Sequence, residues 1–169
     1  MDGAGRFFLT LLLLFAASLP SALQAEAGLQ IDRIVVLKSQ HRMLLYHNGV
    51  LLKSYRIALG ARAVGAKIQQ GDHRTPEGVY LIDSKNPHSL YHLALHVSYP
   101  NEDDRERAKK MGVSPGGDIM IHGLPDGYGY LGSLHSRTDW TDGCVAVSNR
   151  EIEELWRLVA IGTPVEIRP

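Results

Sequence analysis

Hydrophobic positions along this chain fall in short β-branched runs separated by glycine, asparagine and proline, and that pattern predicts strands. Residues 31–37 form the first run, and residues 43–46 and 50–59 flank His47-Asn48-Gly49. Asn-Gly between apolar strands is the strongest short hairpin signal, because both turn positions tolerate positive φ. Residues 60–71 carry three glycines and few apolar anchors, which reads as a loop. Thr75-Pro76-Glu77-Gly78 reads as a turn into a strand over 79–83, and a further strand covers 93–98 before Tyr99-Pro100.

Helical spacing emerges twice. Residues 101–111 open with Asn101 and three acids in the first turn, which suits a helix N-terminus. Residues 149–161 place Ile152, Leu155, Trp156 and Val159 on one face, with Asn149 as the expected cap and Gly162 and Pro164 as the stop. A last strand covers 164–167. Many strands at short intervals with two short helices predict a mainly β domain, a sandwich or barrel-like sheet. A parallel α/β sheet would need helices between the early strands, and the pattern supplies none there.

The N-terminus changes this picture. Arg6, an apolar run over 7–17 interrupted by Thr10, and small residues at Ala25 and Ala27 follow the order of a secretory signal. The run falls short of the ~20 apolar residues of a spanning helix. The expectation is a signal peptide over 1–27, cleaved after Ala25 or Ala27, then one domain over 28–169 exported to the periplasm or cell envelope. Eighteen basic residues against 18 acidic ones give no net charge, so nothing predicts binding to nucleic acid or to an anionic membrane surface. Cys144 is the only cysteine. In an oxidising compartment it has no intramolecular partner, which leaves a reactive thiol or a buried apolar one.

Its neighbours favour reactivity. Ile119-Met120-Ile121-His122-Gly123 ends an apolar run in a histidine, and Thr141-Asp142-Gly143-Cys144 precedes another apolar run, Val145-Ala146-Val147. A thiol needs a neighbour that takes its proton or stabilises the thiolate, and an imidazole on an adjacent strand does either. Gly143 leaves room for a carbonyl to approach the Gly143 and Cys144 amides, which are candidate oxyanion donors.

Ile121-His122-Gly123, then Gly143-Cys144 about twenty residues later, a short strand, a capped helix and Gly162-Thr163-Pro164-Val165-Glu166-Ile167 resemble the L,D-transpeptidase catalytic domain, the YkuD-like fold. Gly71-Asp72, Thr75-Pro76-Glu77-Gly78-Val79-Tyr80 and Tyr99-Pro100-Asn101 are similar to that family's earlier motifs, so the likeness covers about residues 31–167. The resemblance implies that Cys144 attacks the L-configured third centre of a peptidoglycan stem tetrapeptide, expels D-alanine and holds the chain as a thioester. An amine of another stem, an envelope lipoprotein, a small D-amino acid or water then releases it. No cofactor or metal is implied, and acylation by carbapenems is.

Two positions depart from the family pattern: Asp142 stands where the family usually has histidine, and Ala146 where it commonly has a carboxylate-holding arginine. Tyr99, Asp142 and Arg137 are therefore the candidate substrate-binding residues, with Arg74 a further cation and Asp142 a possible orienter of His122. Hydrolysis of the same peptides (an L,D-carboxypeptidase or amidase), non-catalytic wall binding, and a metal peptidase built on His88, His92 and His96 are the competing readings. His135 is a candidate neighbour of Cys144 or a surface histidine, and Trp140, Tyr128 and Tyr130 are candidate packing or cleft-wall residues.

Overall fold

The expected strands form one mixed sheet in the computed structural model, which describes residues 30–169; the predicted signal peptide lies outside them. In chain order the strands are β1 (Arg33–Leu37), β2 (Arg42–His47), β3 (Val50–Arg56), β4 (Gly78–Ser89), β5 (His92–Val97), β6 (Met120–His122), β7 (Val145–Ala146) and β8 (Pro164–Arg168). Two α-helices are described, α1 (Glu102–Lys110) and α2 (Asn149–Leu158). The sheet order is β3-β2-β1-β8-β4-β5-β6-β7, with parallel pairs at β1–β8 and β6–β7.

The fold is the mainly β, barrel-like domain that the pattern predicts. Past the end of β3, Ala58 exchanges both backbone hydrogen bonds with Ala146 of β7, at 3.0 and 2.9 Å. The two edges of the order thus meet, and the sheet curls into a partly closed barrel without leaving β7 as a free edge. Ile34, Val36, Met43, Leu45, Ile82, Leu95, Ile121, Val145 and Val165 fill the interior, each fully buried. Ile152 and Leu155 of α2 join them, and burying side chains of that size contributes roughly 1.5–3 kcal/mol apiece.

Local chemistry sets the element ends. Asn48 and Gly49 take φ of 50° and 77°, the positive pair that a tight hairpin needs. Asn101 caps α1 in a reciprocal box with Asp104, as its position predicts. The cap of α2 is Ser148, one residue before the expected Asn149, because Ser148 and Glu151 form the capping box. β4 runs through Asn86 and Pro87 to Ser89, well beyond the expected 79–83, with register shifts absorbing the irregular residues. Residues 129–137 form a 3-10 segment kinked at Gly132.

Candidate active site

Cys144 and His122 reach one face of the sheet through the parallel pairing of β6 and β7. Ile121 lies opposite Val145 and His122 opposite Ala146. Cys144, two residues before Ala146, is therefore the diagonal neighbour of His122, on the same side of the pleat. Ile121, Val145 and Val147 point the other way, into the core. The turn carrying the cysteine is clamped from several sides. Thr141 Oγ1 donates to Cys144 O (2.8 Å) and accepts from Gly143 N (3.2 Å), while the Thr141 backbone bonds to Leu59 and Ala61. Gly143 has φ of 130°, and a Cβ there would lie 2.6 Å from Arg74 O, so only glycine fits.

His122 is 3% exposed. Its Nδ1 lies 2.7 Å from Gly123 O. A carbonyl only accepts, so Nδ1 carries the hydrogen and Nε2 keeps its lone pair. The ring is walled by Tyr91 (centroids 4.4 Å apart) and Trp140 (5.7 Å). Gly123 and the following turn are held by Asn149, whose Oδ1 accepts from Leu124 N at 2.8 Å. Burial pushes His122 down to about 4, its bond to Gly123 opposing and nearby His135 adding to the fall. Burial likewise pushes the Cys144 thiol up, with Asp142 and Asp118 adding to the rise and the Met120 amide and Lys67 opposing it. The resting pair is a neutral thiol beside a neutral imidazole. Cys144 Sγ donates to Asp118 O at 3.5 Å, and the hydrogen bonds of the described residues join it to no His122 nitrogen.

Away from His122, Cys144 borders a polar cleft of about 420 Å³ lined by Lys67, Gln70, His73, Asp118 and Asp142. Lys67, 4% exposed, donates to Gln69 O (3.1 Å) and Asp72 Oδ1 (2.8 Å). Burial alone would raise Asp72; the amides of Ile68, Gln69 and Arg74 and the Lys67 ammonium outweigh it and hold the carboxyl at about 2. Loop 60–71 is thus a braced cleft wall rather than a featureless connection. His73 stands in the same cleft with Nδ1 2.7 Å from Asp142 Oδ1.

The structure separates the sequence-predicted residues. Cys144, His122 and Gly143 come together, and Asp142 borders the same cleft but pairs with His73, so it is not the orienter of His122. The Gly143 amide, expected as an oxyanion donor, is turned to Thr141 instead. Tyr99 is corrected to a core residue: it is 3% exposed, with its hydroxyl donating to Pro115 O at 2.9 Å. Arg137 is exposed and lines a different depression, with His41, Arg56 and Asp139. Arg74 turns its guanidinium to Ala66 O at 3.4 Å. His92 pairs with Glu153 (2.8 Å) and His96 with Asp83 (2.6 Å), so the histidine series is divided between separate carboxylates rather than gathered. His135 is buried near His122 and, with Tyr128 and Trp140, lines an apolar pocket. Sequence reasoning missed Tyr91, Lys67 and His73; only the last carried a signal, a histidine directly after Gly71-Asp72.

Comparison with known proteins agrees with this architecture. The family described as L,D-transpeptidase catalytic domain (YkuD) matches residues 31–167. A protein named putative L,D-transpeptidase YafK, from Escherichia coli K12, is 31% identical over 112 residues, covering 64% of this chain and 37% of that protein. The crystal structure of the helical cell shape determining protein Pgp2 from Campylobacter jejuni superposes with a TM-score of 0.61 at 28% identity, covering 83% of this chain and 48% of the other. Bd1075 of Bdellovibrio bacteriovorus gives 0.58 at 28%, covering 83% and 49%. The chain thus spans less than half the length of each of these relatives.

Proposed function

We propose, from the premise that this chain belongs to the L,D-transpeptidase catalytic domain family, that it is an exported cysteine acyltransferase acting on peptidoglycan stem peptides in the periplasm or envelope. The observation that carries this reading is the diagonal placement of Cys144 relative to His122 across β6 and β7, with the His122 Nε2 left free by the Nδ1–H bond to the Gly123 carbonyl. Likeness to a cell-shape determining protein supports the cell wall as the setting.

The chemistry follows from the neutral pair. As Sγ attacks the carbonyl carbon at the L-centre of the tetrapeptide, His122 Nε2 takes the thiol proton, after a turn of the Cys144 side chain from Asp118 O. The resulting imidazolium gives that proton to the nitrogen of the departing D-alanine, and a thioester remains on Cys144. The developing oxyanion is assigned to the Cys144 N–H, since the Gly143 N–H is already engaged. With Ala146 in place of arginine, Lys67 is the buried cation lining the cleft for a substrate carboxylate. The acyl group then passes to an amine or to water, a transpeptidase or a carboxypeptidase outcome respectively.

The test is mass spectrometry of tetrapeptide muropeptides incubated with the enzyme, with Cys144→Ala as control. Loss of D-alanine with wild type alone supports the reading, and amine-exchanged products against free tripeptide decide the acceptor. No loss of D-alanine, together with no carbapenem adduct on Cys144, overturns it.

A further inference from the structure

Among the described residues four histidines pair with carboxylates: His41 with Asp139, His73 with Asp142, His92 with Glu153 and His96 with Asp83. Of these, only the His73–Asp142 pair lines the cleft that Cys144 borders. The backbone beneath the pair is seated on the His73 side. The His73 carbonyl accepts from Arg62 N (3.0 Å) and lies 2.3 Å from where a Cβ on Gly60 would stand, so the backbone is seated tightly there. The Asp142 side chain is 91% exposed, and the turn that carries it is clamped at Thr141 and Gly143. A carboxylate only accepts, so His73 Nδ1 carries the hydrogen, and in the neutral ring Nε2 is the nitrogen with the lone pair. Lys67 and Asp118 are the other charged groups facing that cleft.

His122, by contrast, does not line this cleft; it lies behind the cysteine in its aromatic niche. A molecule that enters this cleft to meet an acyl group on Cys144 shares it with His73, whose side chain is 45% exposed.

We propose that His73, held by Asp142, is the base that activates the second substrate, the amine or water that releases the acyl chain from Cys144. This rests on the thioester reading above. In this step the nucleophile's nitrogen or oxygen bonds to the thioester carbonyl carbon while His73 Nε2 takes its proton. The C–S bond then breaks, its electron pair goes to Sγ, and the thiolate takes the proton back from the His73 imidazolium, directly or through solvent. The enzyme returns to a neutral thiol and two neutral imidazoles. Asp142 is a positioning residue that sets the tautomer. The division of labour also accounts for Asp142 at a position where a histidine is usual: the imidazole comes from another segment and the carboxylate orients it.

The experiment is rapid-quench intact-mass analysis with a tetrapeptide muropeptide and glycine as the amine, following formation and decay of the acyl-enzyme separately. His73→Asn is the variant of choice, because asparagine tolerates the φ of 54° at this position. Thioester formation is expected within about twofold of wild type and its release slowed about a hundredfold, as for loss of a general base, so that nearly all of the enzyme accumulates as acyl-enzyme. Asp142→Asn, whose amide can donate to Nδ1 and reverse the tautomer, is expected to accumulate acyl-enzyme too, with release slowed about tenfold or more. Release at the wild-type rate in His73→Asn overturns the proposal while leaving the thioester intact. Equal slowing of both half-reactions also overturns it, marking His73 as structural. Absence of acyl-enzyme on wild type overturns the thioester reading and this inference together.

Discussion

On one side of Cys144, His122 is buried among Tyr91 and Trp140, bonded to its own neighbour's carbonyl and held neutral by burial down to about 4. On the other, His73 stands half in solvent, bonded to an acid and ringed by Lys67 and Asp118. The same side chain stands in two different settings. In the niche, desolvation makes the charged form costly, so a proton taken up by His122 would be readily given away. In the cleft, a carboxylate orients the ring and solvent reaches it. A site with one wall of each kind can pair a departing amine with one imidazole and an arriving nucleophile with the other.

Removing His122 breaks the comparison most severely. His122→Ala is expected to slow acylation of Cys144 by a carbapenem a hundredfold or more, read by stopped-flow absorbance; a rate near wild type would take His122 out of the first step. Acid sharpens the contrast next. The unfolded chain binds a proton at His122 near pH 6.5, the native chain only near 4, so between those values the unfolded state holds more protons and stability falls as pH falls. The loss is about 3 kcal/mol across that window, complete near pH 4, with the depressed His135 acting in the same direction. Urea unfolding at pH 7 and pH 4.5 measures it, and His122→Gln should flatten the profile. Asn149→Ala is the mildest change. It strips the acceptor from Leu124 N behind the niche and is expected to cost about 1–2 kcal/mol, with cleft-side chemistry untouched. A greater effect on acyl release than on stability would mean the two walls are coupled.

Much of this was legible in the chain. Cys144, His122 and Gly143 announce themselves because glycine–cysteine before one apolar run and histidine–glycine after another constrain what adjacent strands can present. The hairpin at Asn48-Gly49 and the capped α1 followed from local rules that tertiary packing had no reason to override. The α2 cap moved by one residue because Ser148 and Asn149 are both good caps, and the spacing to Glu151 favours the former. Tyr99 misled because a motif position says nothing of burial. The His73–Asp142 pair was invisible for a different reason: it joins residues far apart in sequence across a loop, and no periodicity records such a meeting.

The pairing of β1 with β8 has a consequence for how the site comes into being. These strands lie side by side in the middle of the sheet, yet nearly the whole described chain separates them. The β2–β3 and β4–β5 hairpins can zip as soon as they are made. The central ladder must wait for residues 164–168 to leave the ribosome, and long-range pairings of this kind are the slow step in assembling β proteins. Cys144 is thus synthesised before the last strand of the sheet that seats it, and a nascent or C-terminally clipped chain is expected to carry the thiol without the chemistry.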